Sequence, residues 1–173
     1  MKKERKNGAA VPKKEVDLLF DAYSQTRQHP SNLLIHWICI PLILFSVLGI
    51  IWSLPFPYLP FLGKYNGFVN WASFVIAFCG YYYYRLSPVL LYMMILLVFA
   101  ISLVIVQLEK WTMTGGPAIW IVCTVTLILG LAGLMIGRKT EGKKSSFSQD
   151  VKFLLIGPIW LLHFICLKTG LKY

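Results

Sequence analysis

The chain has 173 residues, of which 57% are apolar and only 14% are charged, and its formal net charge at pH 7 is +10. A soluble domain carries about 25% charged residues, so this composition excludes a soluble globular protein and indicates an integral membrane protein. The basic residues flank apolar runs and form no dense patch, which argues against a nucleic-acid partner and for attraction to anionic lipid heads.

The chain begins with a basic segment and a short amphipathic one. Residues 1–14 are rich in lysine and are predicted to form a disordered leader. Residues 15–28 intersperse apolar and charged side chains, which predicts a short amphipathic helix lying on the membrane surface. Residues 15–173 are then predicted to form a single membrane domain, since the length allows one compact bundle and no second domain.

Five apolar stretches follow, each close to the roughly 20 residues that cross the hydrocarbon layer. The predicted spans are 33–53, 67–84, 88–108, 117–137 and 151–167. The last is short and contains Gly157–Pro158, so a tilted span, a re-entrant segment and two half-helices all remain open for it. The sequence therefore predicts an all-α integral membrane protein, a compact bundle of four to five transmembrane helices with an N-terminal amphipathic helix.

Small residues and basic residues predict how these spans are arranged. Gly130, Ala132, Gly133 and Gly137 would let another helix approach the fourth span closely, either within the chain or in a dimer. Lysine and arginine are concentrated before the first span and after the fourth, which places both segments on one side. The positive-inside rule makes that side cytoplasmic, so the N-terminus is predicted to be cytoplasmic.

The stretch from Arg27 to Trp37 is the first candidate for chemistry, because two of the three histidines lie where the leader meets the first span. With Pro30 in the first turn of a helix, the spacing of His29, Asn32 and His36 puts their side chains on one face. His36 lies inside the apolar run, where a polar side chain is costly unless it has a partner or lines a cavity.

The histidines His29, His36 and His163 are candidate metal ligands, since neutral imidazole binds iron, zinc and copper. A non-haem iron(II) site typically uses two histidines and one carboxylate, and Glu141 or Asp150 is the candidate carboxylate. The alternative is that His36 and His163 are neutral, hydrogen-bonded residues between helices. A transporter and a structural or lipid-binding membrane protein also remain open.

Several segments together carry a resemblance over about residues 16–173: DLLFDAY, NLLIHWICIPLILFSVLG, IGRKTEGKKSSF, FLLIGPIWLLHF and the final GLKY. They resemble the Mpo-type membrane proteins, the 2-hydroxy fatty acid dioxygenases of fatty-acid α-oxidation, known in fungi and with many bacterial relatives. The resemblance implies a compact multi-span protein that uses iron(II) and molecular oxygen to shorten a 2-hydroxy fatty acid by one carbon. A bacterial inner membrane suits the compact form.

The first family motif, roughly His-x-Asn-Pro-x-Asn-x-x-x-His, matches this chain at its second half. The proline falls on Pro30, the second asparagine on Asn32 and the last histidine on His36. The chain departs from the motif before that point, because the first histidine falls on Arg27 and the first asparagine on His29.

The second motif, roughly Gln-x-x-Gly-His-x-x-Glu-Gly, matches at Gly137, Glu141 and Gly142. Arg138 stands in place of its histidine, and Leu134 in place of its glutamine. The third motif matches at four positions: Gly157, Pro158, Trp160 and His163.

The resemblance implies a rearranged iron(II) site, because a guanidinium offers no lone pair to a metal. His36 would be a ligand and Asn32 would orient a ligand, and three further residues could complete the set: His29, His163 and Glu141. The alternative is a catalytically inactive relative that binds lipid. In that case Arg27 and Arg138 would pair with a fatty-acid carboxylate or a lipid phosphate, which a guanidinium binds in a bidentate manner.

Overall fold

The computed structural model describes residues 14–25, 29–141 and 147–171, and within these ranges every regular element is helical. The α-helices are α1 (Glu15–Gln25), α2 (Pro30–Trp52), α3 (Trp71–Leu86), α4 (Pro88–Met113), α5 (Ile119–Glu141) and α6 (Phe147–Thr169), with a 3₁₀ segment (Pro60–Phe68) before α3. The predicted all-α architecture is confirmed for this part of the chain. The leader up to residue 13 and Arg27 lie outside the described residues.

Within the described ranges, three helices are long and apolar enough to cross a membrane: Pro30–Trp52, Pro88–Met113 and Ile119–Lys139. They correspond to the first, third and fourth predicted spans. The predicted second span is shorter than expected, because α3 begins only at Trp71. Asn70 is the N-cap of α3, because its side chain accepts a hydrogen bond from the Ser73 amide at 3.2 Å. The helix therefore begins only after Asn70.

The fifth predicted span is one helix rather than two half-helices. α6 runs without interruption from Phe147 to Thr169 with Pro158 inside it, and α2 likewise continues through Pro41. Pro30 occupies the first turn of α2 as predicted, where its missing N–H leaves no donor unsatisfied.

α2 is the central helix of the fold. α5 packs along α2, which also contacts α3, α4 and α6, while α1 packs against α6. α4 additionally contacts α3, α5 and α6, and buried apolar side chains of α1, α2, α3, α4 and α6 form the larger of two apolar clusters.

The close approach of α2 and α5 depends on glycines of α5. A Cβ atom added at Gly130 would lie 2.8 Å from Cγ1 of Ile43, and one at Gly133 would lie 2.5 Å from Sγ of Cys39. One at Gly137 would collide with Oδ1 of Asn32. The predicted small-residue contact is therefore confirmed at these three glycines, and it lies within one chain, whereas Ala132 is exposed.

Candidate functional site

A buried contact between Tyr23 of α1 and His36 of α2 forms the centre of the candidate site. The Tyr23 hydroxyl oxygen lies 3.2 Å from Nδ1 of His36, and both side chains are buried. The two rings meet edge to face, with their centroids 6.0 Å apart. His36 therefore has the polar partner that its depth in an apolar helix requires. If His36 binds a metal or a substrate, it must do so through its second ring nitrogen, Nε2.

α1 is held in place by α6, and this contact positions Tyr23. Val16, Phe20 and Tyr23 are buried and recur at helical spacing, so they form one face of α1. Trp160 of α6 stacks on Tyr23 with ring centroids 4.6 Å apart, and its Nε1 donates to Oγ of Ser24 at 3.0 Å. The predicted amphipathic helix is confirmed as a helix over Glu15–Gln25, and its buried apolar residues pack against protein, whereas Leu18 is exposed.

Asn32 lies one turn before His36 on the same face of α2, and it too is buried. Its Oδ1 contacts Gly137 of α5, so only a residue without a side chain allows α5 to pass this point. Arg138 follows directly, in the last turn of α5, and is exposed. The first and second family motifs therefore meet at Asn32.

Gly157 of α6 brings the third motif to the same place. A Cβ atom added there would lie 3.2 Å from the Tyr23 hydroxyl and 2.9 Å from Cδ1 of Ile40. The missing side chain leaves room for the tyrosine between α2 and α6. Segments that are far apart in the sequence thus meet around Tyr23, Asn32 and His36, which we call the polar cluster.

His163 lies beside this cluster, against α1. Its ring stacks on Phe20 with centroids 4.6 Å apart, and its Nδ1 atom is buried. The carboxylate of Asp17, also on α1, interacts electrostatically with it. Because Phe20 and Tyr23 are neighbours on one face of α1, that helix contacts both His163 and His36.

His29 is placed apart from the polar cluster. It is exposed and caps α2, its Nδ1 accepting a hydrogen bond from the Ser31 amide at 3.3 Å. Seven residues separate His29 from His36, which corresponds to about 10 Å along a helix axis. Asn32 and His36 share one face of α2 as predicted, whereas His29 precedes the helix in an extended conformation, so the structure does not bring the two histidine side chains to one point.

The two arginines and the carboxylate of the predicted site are described to different extents. Arg27 lies outside the described residues. Glu141 is the last residue of α5, and its side chain, like that of Asp150, lies outside the described ones. Among the described residues, no group of three or more His, Cys, Asp and Glu side chains could hold a metal ion. The described side chains alone therefore do not fit an iron(II) centre.

Sequence reasoning missed Tyr23 and Trp160 as site residues. The spacing of Val16, Phe20 and Tyr23 identifies a helix face, and that signal could have marked the tyrosine as buried. No local pattern pairs Tyr23 with a histidine 13 positions later, because that contact depends on how α1 packs on α6.

The fold and the site define a helical, membrane-spanning class of protein with a buried polar cluster between its helices. A family model described as "2-hydroxy-palmitic acid dioxygenase Mpo1-like" matches residues 14–169. The chain therefore belongs to the Mpo1-like family, and the resemblance found in the sequence is confirmed. No curated protein and no solved structure matches the chain.

Proposed function

We propose that this protein binds a 2-hydroxy fatty acid at the polar cluster and shortens it by one carbon in an iron(II)- and oxygen-dependent reaction. The observation that carries the proposal is the convergence of the three family motifs, through Asn32 and His36, Gly137, and Gly157, on one buried polar cluster. The family name supplies the substrate and the type of reaction.

The residues of the cluster have distinct roles in this proposal. Tyr23 fixes the orientation of the His36 ring through Nδ1, which directs Nε2 toward the bound group. Asn32 supplies an amide that can both donate and accept hydrogen bonds, which suits a substrate hydroxyl or carboxyl group. Arg138, next to Gly137 at the end of α5, suits the substrate carboxylate.

Iron(II) is part of this proposal although the described side chains do not complete a site for it. His36 and His163 are the histidines that we propose as ligands, with Glu141 as the carboxylate. His29 is left out because it caps α2, away from His36.

The test is turnover by the purified protein. With added iron(II) and oxygen, 2-hydroxyhexadecanoic acid should yield the acid one carbon shorter, measured by mass spectrometry. His36→Ala should lower the rate by at least about 10–100-fold, the usual cost of disturbing a metal ligand or its partner. His29→Ala is the matched control and should keep most of the activity, since it removes only an exposed cap. Absence of product from the wild-type protein would contradict the proposal.

A second candidate is a lipid-binding relative without oxygenase chemistry. The position of Arg138 favours it, because Arg138 directly follows Gly137, which adjoins Asn32, and a guanidinium can hold a carboxylate without any metal. If, in the same assay, the wild-type protein retains the 2-hydroxy acid without forming product, and Arg138→Ala no longer retains it, the protein has this lipid-binding function.

We also propose that α3 crosses the membrane together with the three long helices, and that the N-terminus faces the cytoplasm of a bacterial cell. The turn after α4 would then face outward. A cysteine introduced at the exposed Thr114 should react with a membrane-impermeant maleimide in intact cells. A cysteine introduced at Lys6 should react only after lysis, and the reverse pattern would overturn this topology.

A further inference from the structure

We propose that a cavity between α2, α3, α4 and α6 holds the acyl chain of the fatty acid, and that Gly80 sets the chain length it accepts. The identity of the polar head rests on the proposed function, whereas the location of the chain rests on the cavity itself.

The cavity has the size and lining of a ligand site. Its volume is about 440 Å³, within the roughly 300–1,000 Å³ typical of small-molecule sites. Its walls are almost entirely apolar, and the one hydroxyl-bearing side chain, Tyr83, donates its O–H to the carbonyl oxygen of Leu155 at 2.8 Å. The cavity therefore offers no hydrogen bond that would retain water.

The cavity is adjacent to the polar cluster. Ile40 lines the cavity and lies one turn after His36 on the same face of α2. The same isoleucine packs on Gly157, which also adjoins the Tyr23 hydroxyl. A ligand whose polar end lies at Tyr23 and His36 could therefore extend its apolar part past Ile40 into the cavity.

The position of the cavity in the bilayer favours an acyl chain as its occupant. α2 and α4, which supply much of its lining, are each long and apolar enough to cross the membrane. A cavity with an apolar lining at that depth suits a hydrocarbon chain, whereas a peptide would bring unpaired backbone groups that are too costly there. Ile40, which lies between the cavity and the polar cluster, favours an amphiphile with a single chain as the occupant, which is the shape of a fatty acid.

Gly80 of α3 gives a way to shorten the cavity without disturbing its frame. A Cβ atom added at Gly80 would meet only Cδ1 of Leu91, at the ordinary contact distance of 3.7 Å. A leucine there would occupy space otherwise available to about three methylene groups. Each buried methylene changes affinity about fourfold, so the effect on a long chain should be large.

The experiment measures binding, independently of turnover. Competition against radiolabelled 2-hydroxyhexadecanoic acid in detergent compares 2-hydroxyoctanoic acid, 2-hydroxyhexadecanoic acid and plain hexadecanoic acid. The wild-type protein should prefer the longer 2-hydroxy acid by at least about tenfold, and Gly80→Leu should weaken its binding by about tenfold or more. Binding of the shorter acid should weaken much less than that of the longer acid, since fewer of its methylene groups would compete with the leucine for space.

Two further variants make the result interpretable. Ala77→Leu adds a similar apolar volume, one carbon less than Gly80→Leu, on an exposed face of α3 and should leave all affinities unchanged. Gly80→Ala should weaken long-chain binding by about fourfold, and it serves if Gly80→Leu fails to fold.

The outcomes separate this inference from the proposed function. Wild-type affinity that does not depend on chain length, or variants at Gly80 that keep the long-chain preference, would overturn the inference. Hexadecanoic acid could bind as tightly as the 2-hydroxy acid, in a way that depends on Gly80, while the 2-hydroxy acid is not turned over. That result would support the cavity and contradict the dioxygenase proposal. Tight retention of a two-chain phospholipid that these acids fail to displace would also overturn the inference.

Discussion

Replacing Tyr23 with alanine should lower the free energy of unfolding by about 3–5 kcal/mol, the usual cost of truncating a buried aromatic side chain. Tyr23 is 1% exposed, and its ring packs on Trp160 while its hydroxyl contacts His36. Truncation would leave a cavity between α1 and α6 and remove one hydrogen-bonding contact of a buried histidine. Chemical unfolding of the protein in detergent measures this loss.

Tyr23→Phe separates the packing role of Tyr23 from its polar role. The phenylalanine keeps the ring contacts, so stability should fall by only about 1–3 kcal/mol, the cost of leaving a buried polar group without its hydrogen bond. If Tyr23 orients His36, the turnover number should nevertheless fall by about 10–100-fold while the Michaelis constant changes little. Unchanged turnover in Tyr23→Phe would reduce Tyr23 to a structural residue.

Gly137→Leu should cost about 3 kcal/mol, the upper end of the usual penalty for overpacking. Even a Cβ atom at this position collides with Oδ1 of the buried Asn32. α5 must therefore move away from α2, and the polar cluster loses one wall. The expected results are a lower unfolding midpoint in detergent and a loss of 2-hydroxy acid turnover.

The matched control for Gly137→Leu is Ala132→Leu, which adds apolar volume on the exposed face of the same helix. Its unfolding midpoint should change little, because the new side chain faces away from α2. Equal destabilisation by the two substitutions would show that the glycine contact is not what holds α5 against α2.

The sequence predicts much of the helical architecture because its signals are local. Long apolar runs mark the three described helices that are long and apolar enough to cross a membrane, and Pro30 marks the start of α2. Helical spacing alone places Asn32 and His36 on one face, and the glycines of α5 indicate a close helix contact before the partner is known. The order of motifs is also local information, and it identifies the family.

The polar cluster could be predicted only in part. The spacing correctly places Asn32 and His36 on one face of a helix, but His29 is the extended residue before α2, about 10 Å from His36 along the helix axis by residue spacing. His163 was singled out by its type, whereas its position against Phe20 depends on the docking of α1 on α6. Tyr23 has no signature beyond its place on an amphipathic face.

The sequence by itself determined that this is an apolar, helical membrane protein of the Mpo1-like family, because composition, periodicity and motif order are properties of the chain. Only the tertiary structure decided that α1 covers its apolar face with α6 and pairs Tyr23 with His36. The physical reason is that lipid and protein satisfy an apolar side chain almost equally well. Periodicity therefore shows which face is buried, and steric fit between helices decides what buries it.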